Sequence, residues 1–124
     1  MAQKYIVNDI VMYKNRIHTI IDILASNGYE LSYVRHQVSP VRLSGVPLTP
    51  EILEKNGWRT QNRWYYYLDV AEGFISYIGI DFKHKSNKGH LYVEVDGNNM
   101  VEIQYCHELQ HFLFGLGINH EMEV

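Results

Sequence analysis

His107-Glu108-Leu109-Gln110-His111 is the stretch of this chain whose residue types and spacing carry a reaction. Two histidines four residues apart stand one turn apart on a helix, where both can bind Zn2+. The glutamate between them can take a proton from the bound water, which is the hydrolytic chemistry of the zincins. With seven His and nine Glu in 124 residues, chance alone produces such a string in roughly a few chains per hundred, so its neighbourhood has to decide.

That neighbourhood disfavours zinc. On a helical wheel with Leu109 at zero and about 100° per residue, Cys106, Phe112, Leu113 and Leu116 fall within roughly 60° and define an apolar stripe. His107 and His111 fall near the opposite pole, beside Phe114. Leu109 is therefore expected in the core, with both histidines towards solvent or a partner. A metzincin places Gly three residues and His six residues after its second His; this chain has Phe114 and Gly117 there, and His120 arrives later. A gluzincin draws its Glu from a second helix further downstream, and only thirteen residues follow His111. Upstream ligands such as His84, His90 or Glu94 would reverse the usual order. The expectation is no catalytic residue and no cofactor; the alternative is a minimal zinc-dependent hydrolase with Glu108 as base and His107 and His111 as ligands. Cys106 lies on the apolar stripe, about 100° away from His107, so a buried structural thiol is expected rather than a nucleophile.

Other side chains suit binding rather than catalysis. Trp58, Trp64 and Tyr65-Tyr66-Tyr67 are aromatic enough to stack on bases or sugars, or simply to cover a sheet. Lys14-Asn15-Arg16 and the run from Lys83 through Lys85 to Lys88 are charged hairpin tips able to meet phosphate or an acidic partner. His90 and Glu94 share one face of a strand. The candidate binding surface is accordingly Trp58, Trp64, Tyr66, Lys83, Lys85 and Lys88.

The elements that must position these residues are marked by their punctuation. Ile10 to Tyr13 and Ile17 to Leu24 are two β-rich runs across a polar turn; Ser26-Asn27-Gly28 is a second turn, before the alternating Tyr29 to Val34. This opening resembles the first hairpin of small SH3-like barrels. Pro40, Gly45 and Pro47 interrupt regular structure over residues 36–48. Thr49 as N-cap, Pro50 in the first turn and Asn56-Gly57 as a left-handed stop predict a helix over 50–56. Trp58 to Thr60 and Trp64 to Val70 flank the turn-like Gln61-Asn62-Arg63. Strands follow over Phe74 to Lys83, His90 to Val95 and, after an Asp96-Gly97 turn, Met100 to Tyr105, as a roughly four-stranded meander. A last helix runs from about Tyr105 or Cys106 to Phe114 and ends at Gly115 and Gly117. The expected class is α+β: an SH3-like antiparallel β unit over 1–45, then a short helix, an antiparallel meander and a C-terminal helix over 46–124, forming one compact domain.

Composition sets the remaining bounds. A chain of 124 residues, 46% hydrophobic and 13% aromatic, can bury a core of its own. Eleven Lys and Arg against fourteen Asp and Glu give a net charge of −3, which lacks the global basic excess of a protein held to phosphates mainly by charge. A single Cys excludes an intrachain disulfide, and Met-Ala-Gln-Lys-Tyr lacks the apolar run of a secretory signal, so a reducing cytoplasm is expected. No apolar stretch approaches the roughly 20 residues that cross a bilayer, so no membrane partner is expected.

Several phrases carry a broader resemblance: Leu48-Thr49-Pro50-Glu51-Ile52-Leu53-Glu54-Lys55-Asn56-Gly57, Tyr65-Tyr66-Tyr67-Leu68, His90 through Asn98, and His107 through His111. Together they span most of the chain, which resembles small uncharacterised proteins of Bacteroidales bacteria, their phages and mobile elements. The resemblance implies that other residues occur at the position of His111, which counts against zinc, and that an accessory role is favoured over a metabolic one. The functional expectation is a non-enzymatic binding or accessory protein whose partner is a protein, with nucleic acid as an alternative.

Overall fold

Lys14 and Asn15 both take positive φ, 48° and 62°, the left-handed pair that a two-residue hairpin needs to match strand twist. They join β1, Ile10–Tyr13, to β2, Arg16–Ile23, in a register running from Tyr13↔Arg16 to Ile10↔Thr19. β3, Tyr29–Leu31, pairs with the far side of β2 after a register shift between Ile20 and Asp22. The computed structural model describes residues 4–24, 28–70 and 73–124. The turn expected at Ser26-Asn27-Gly28 thus lies, apart from Gly28, outside the described residues.

The interruption expected over 36–48 contains more order than its prolines and glycine suggest. A 3-10 turn spans Pro40–Arg42, and β4, Ser44–Gly45, pairs with β1, giving the antiparallel order β3-β2-β1-β4. A two-residue strand has no periodicity to read, which is why it escaped the pattern. Beneath this sheet Tyr5, Val11, Tyr13, Ile20, Tyr29, Leu31, Val38 and Leu43 form one buried cluster.

The C-terminal helix α2, Cys106–Gly115, belongs with this sheet. The chain divides into one unit of residues 1–47, 105–122 and 124 and another of residues 48–104 and 123. The sequence placed α2 with the second half of the chain. Three hydrogen bonds correct that placement: Cys106 N–H donates to the Val46 carbonyl at 2.8 Å, Ile10 N–H donates to Gln110 Oε1 at 2.8 Å, and Gln110 Nε2 donates to the Asn8 carbonyl at 2.7 Å. Pairing between residues so far apart in the chain leaves no local signal.

Gly45 shows how closely that end of α2 is fitted. A Cβ there would stand 2.9 Å from Tyr105 Cβ and 2.7 Å from Cδ1, and Tyr105 is the residue that caps α2. A ring tip can swing away, but a Cβ moves only with its backbone. Gly45→Ala is expected to destabilise this unit by roughly 2 kcal/mol, within the range for overpacking. Urea unfolding checks it, and an unchanged midpoint would mean the helix start can yield.

The second unit begins as its sequence predicts. Thr49 Oγ1 accepts the Ile52 N–H at 3.3 Å, Pro50 opens α1, Pro50–Lys55, and Gly57 ends it at φ 85°. Five strands then follow as a meander: β5, Arg59–Thr60; β6, Tyr65–Asp69; β7, Tyr77–Asp81; β8, Leu91–Val95; and β9, Asn98–Ile103. The hairpin β5-β6 joins the expected four-stranded arrangement through the register Tyr65↔Asp81 to Asp69↔Tyr77. Period-two alternation buries Tyr66, Ile78, Ile80, Leu91, Val93 and Ile103 and turns Tyr65, Tyr67 and Asp69 to the other face. Two antiparallel sheets, one short helix and a C-terminal helix make the protein α+β.

Candidate functional site

The buried residues of α2 are Cys106, His107, Leu109, Gln110 and Leu113. They cover an arc of about 160° that starts at Leu109 and runs towards His107, not one centred on Leu109. Leu109 is in the core as expected, whereas the outward placement of His107 is corrected: it is only 5% exposed. Its ring stacks on Tyr105 at 5.7 Å between centroids and 10° between planes, and meets the Tyr5 ring edge-on at 4.9 Å. A wheel weighted by apolar side chains cannot find this arc, because two of its members are polar and are buried by the segment from Tyr5 to Ile10.

Each polar member of the pentapeptide has a structural engagement. Glu108 Oε1 accepts the Tyr105 N–H at 2.9 Å, a reciprocal cap at the helix start. Gln110 is fully buried; besides its bonds to Ile10 and Asn8 it donates to the His120 carbonyl at 3.0 Å. His111, a third exposed in its side chain, places Nε2 2.6 Å from Oδ2 of the fully buried Asp9. Burial raises the Asp9 carboxyl above its usual range, against the lowering effects of the Ile6 N–H and of His111. Burial lowers the pKa of His107 to about 4, so its ring is neutral at ordinary pH. Tyr5 Oη, Asp9 Oδ1 and His107 Nδ1 are buried without a hydrogen-bond partner.

As for zinc, the two histidine rings stand edge to face at 5.7 Å. Among the described residues no group of three or more His, Cys, Asp or Glu side chains is placed to hold a metal ion. Cys106 is fully buried, and burial pushes its thiol up to about 12, so it is no thiolate at neutral pH.

A more open arrangement lies on the same unit, around the β1-β2 turn. A groove of about 650 Å³ is lined by Tyr13, Lys14, His36, Arg42 and the backbone around Val38. A second, of about 330 Å³, is lined by Lys14, Arg16, His18, Tyr33, Arg35 and His36. Tyr13, Lys14 and His36 belong to both, so the two are continuous. Four basic side chains, Lys14, Arg16, Arg35 and Arg42, converge there, and the described lining contains no carboxylate.

The two tyrosines of this groove differ in how they are held. Tyr13 Oη lies 3.3 Å from His36 Nε2, and Lys14 Nζ sits 5.4 Å from the Tyr13 ring centroid. Tyr33 is fully exposed and stands at φ 62°, a left-handed conformation that a tyrosine rarely adopts. Of these residues the sequence singled out Lys14 and Arg16. It missed Tyr33, Arg35, His36 and Arg42, whose only trace was the Arg35-His36 pair and the single Arg42 on either side of Pro40.

On the second unit, two of the six residues expected on a binding surface face inward instead. Tyr66 is 2% exposed, because it alternates with Tyr65 and Tyr67, and its hydroxyl donates to Glu54 Oε1 at 3.0 Å. Trp58 is 6% exposed, because the Gly57 turn folds the chain back until Trp58 N–H donates to the Leu53 carbonyl. Trp64 is half-buried, with Lys83 Nζ 5.2 Å above its ring and His84 edge-on at 5.7 Å. Lys83, Lys85 and Lys88 are exposed. His90 stands at the end of its loop, and Glu94 accepts a hydrogen bond from Tyr65 Oη at 3.1 Å.

Comparison of the chain with protein-family models, with curated proteins and with solved structures finds no match.

Proposed function

We propose that this is a non-enzymatic binding protein whose first unit holds single-stranded nucleic acid in the groove around Tyr13, Lys14, Tyr33 and His36. The observation that carries this reading is the company of four basic side chains and the exposed Tyr33 ring around one concave surface free of described carboxylates. Single strands are held by that combination, cations tracking the phosphates while aromatic rings stack on bases that a duplex would hide. A local basic groove also reconciles phosphate binding with a net charge of −3. The reading narrows the wider expectation of a protein or nucleic-acid partner, since a protein partner would need acidic groups placed to match four cations. Among the described residues no helix is long and apolar enough to cross a membrane, and the protein acts in the cytoplasm as an accessory factor. The resemblance to proteins of phages and mobile elements supports an accessory role.

Fluorescence anisotropy with a labelled oligothymidylate tests this. Each phosphate contact with a single strand contributes about −0.7 to the slope of log affinity against log salt, so four contacts predict a roughly 50-fold loss between 50 and 200 mM salt. Arg42→Ala should flatten the slope by about 0.7. Tyr33→Ala should weaken binding by about 1–3 kcal/mol, the usual loss for one stacked base, with little change in fold, since the ring touches solvent on all sides. Binding indifferent to salt, or absent at low salt, would end the proposal.

A further inference from the structure

The outer face of the second unit's sheet carries a pocket unrelated in chemistry to the basic groove. It is lined by Gln61, Asn62, Tyr65, Tyr67, Asp69 and Tyr77 and has a volume of about 310 Å³, at the small end of ligand cavities. Its construction follows from strand register. Tyr65, Tyr67 and Asp69 alternate along one face of β6, with Asp81, Gly79 and Tyr77 opposite them on β7.

Gly79 is where the pocket is made. A Cβ there would collide with the end of the Tyr65 ring, so the missing side chain is what lets that ring lie across the sheet. Tyr65 Oη then reaches Glu94 Oε1 on β8 at 3.1 Å. Burial first, and then Glu94, raise the Tyr65 phenol above its ordinary pKa, which keeps it a donor. On the other side Arg59 packs its guanidinium 5.6 Å from the Tyr67 ring centroid and bonds to Asp69 Oδ2 at 3.0 Å. Asn62 Oδ1 accepts the N–H groups of Trp64 and Tyr65 at 3.1 and 2.9 Å. Those bonds fix the plane of its carboxamide and leave the NH2 group as a donor.

The lining therefore offers aromatic surface together with the amide groups of Gln61 and Asn62 and one carboxylate acceptor, Asp69, while the Tyr65 O–H is engaged by Glu94. The described lining holds one carboxylate and no cation, and Arg59 beside it is already paired with Asp69, which disfavours an anion. The same guanidinium, poised over Tyr67, opposes a second cation. A neutral ring with an apolar C–H face and a rim of hydroxyls satisfies every constraint at once: the face stacks on tyrosine, and the hydroxyls both donate to carboxylate and accept from amide. We infer that the pocket around Tyr65, Tyr67 and Tyr77 is a binding site for one ring of a neutral saccharide.

Titration of the full chain with cellotriose, maltotriose and chitotriose, followed by 1H–15N NMR, tests the inference. At least one of the three is expected to shift the amides of Gln61, Asn62, Tyr67 and Asp69 saturably, with a Kd on the order of 1 mM or tighter. Tyr67→Ala should abolish that shift. Because the Tyr67 ring is half-buried and its loss could disturb the sheet, Gln61→Ala is the second variant. Gln61 is an exposed turn residue, and its loss should weaken binding about fivefold, the effect of one hydrogen bond, with the remaining spectrum unchanged. The site is overturned if none of the three sugars shifts these amides at about 10 mM, tenfold above that Kd. It is also overturned if Gln61→Ala leaves the affinity unaltered, or if tetramethylammonium chloride shifts the same amides more strongly than any sugar.

Discussion

Gln110→Leu is expected to lower the stability of the unit that contains α2 by about 4 kcal/mol, although it replaces a polar residue in the core with an apolar one of similar size. The side chain is fully buried and makes three hydrogen bonds, all to backbone groups: it accepts from Ile10 N–H and donates to the carbonyls of Asn8 and His120. Leucine keeps the volume and gains apolar burial, but it strands the buried Ile10 N–H and takes their partner from two part-buried carbonyls, those of Asn8 and His120. A stranded buried group costs about 1–3 kcal/mol, which outweighs the transfer gain of about 1 kcal/mol. For a chain of this length the loss corresponds to a Tm lowered by roughly 15 °C. Thermal and urea unfolding of the variant measure it. A loss under about 1 kcal/mol would show that the segments carrying Asn8 and His120 reach water once released.

Acid should weaken the same region by about 3 kcal/mol through His107. Its folded pKa of about 4 lies below the ordinary 6.5, so between those values the unfolded chain binds a proton that the folded protein refuses. Stability is therefore whole above pH 6.5 and is lost as pH falls towards 4, at 1.36 kcal/mol for each unit of difference. The groups facing the ring are Tyr5, Tyr105, His111, Glu108 and Lys4. Desolvation is the largest cause; Glu108 opposes it, whereas His111 and Lys4 reinforce it. Asp9 works in the other sense: its raised carboxyl pKa means that the folded state holds a proton longer than the unfolded one, so its contribution falls as pH rises above the ordinary carboxylate range. It opposes the acid slope set by His107. His107→Phe keeps the stack on Tyr105 and removes the titration. Denaturation midpoints at about pH 7, 6, 5 and 4.5 should fall steadily in the natural chain and much less in this variant. Parallel slopes would show that the proton enters elsewhere.

Both predictions concern residues of the pentapeptide whose spacing suggests zinc chemistry. The spacing was read correctly as helical, and Leu109 was placed in the core. The error lay in assuming that polar residues mark the wet side. Gln110 and His107 sit inside because of what packs against them, the backbone from Asn8 to Ile10 and the rings of Tyr5 and Tyr105. Likewise, reading Trp58, Trp64 and Tyr66 as one platform ignored alternation, which sends Tyr66 through to the opposite face from Tyr65 and Tyr67. The groove proposed for nucleic acid was half visible in Lys14 and Arg16. Arg35, His36 and Arg42 join them only because β3 and the Pro40–Arg42 turn fold back beside the first hairpin.

The sequence by itself determined whatever is decided within about four residues. Thr49 and Gly57 bound α1, Lys14-Asn15 and Asp96-Gly97 form turns with positive φ, and alternation builds β6 to β8. Capping, turn and pleat are local hydrogen-bond and steric choices, and they look the same in any tertiary setting. Only the tertiary structure decided that α2 belongs with the first sheet, that a glutamine 100 positions from Ile10 completes its backbone bonding, and that His111 finds Asp9. Contacts across such separations are selected by the burial of whole surfaces against each other, a property of the folded chain that no window of residues contains.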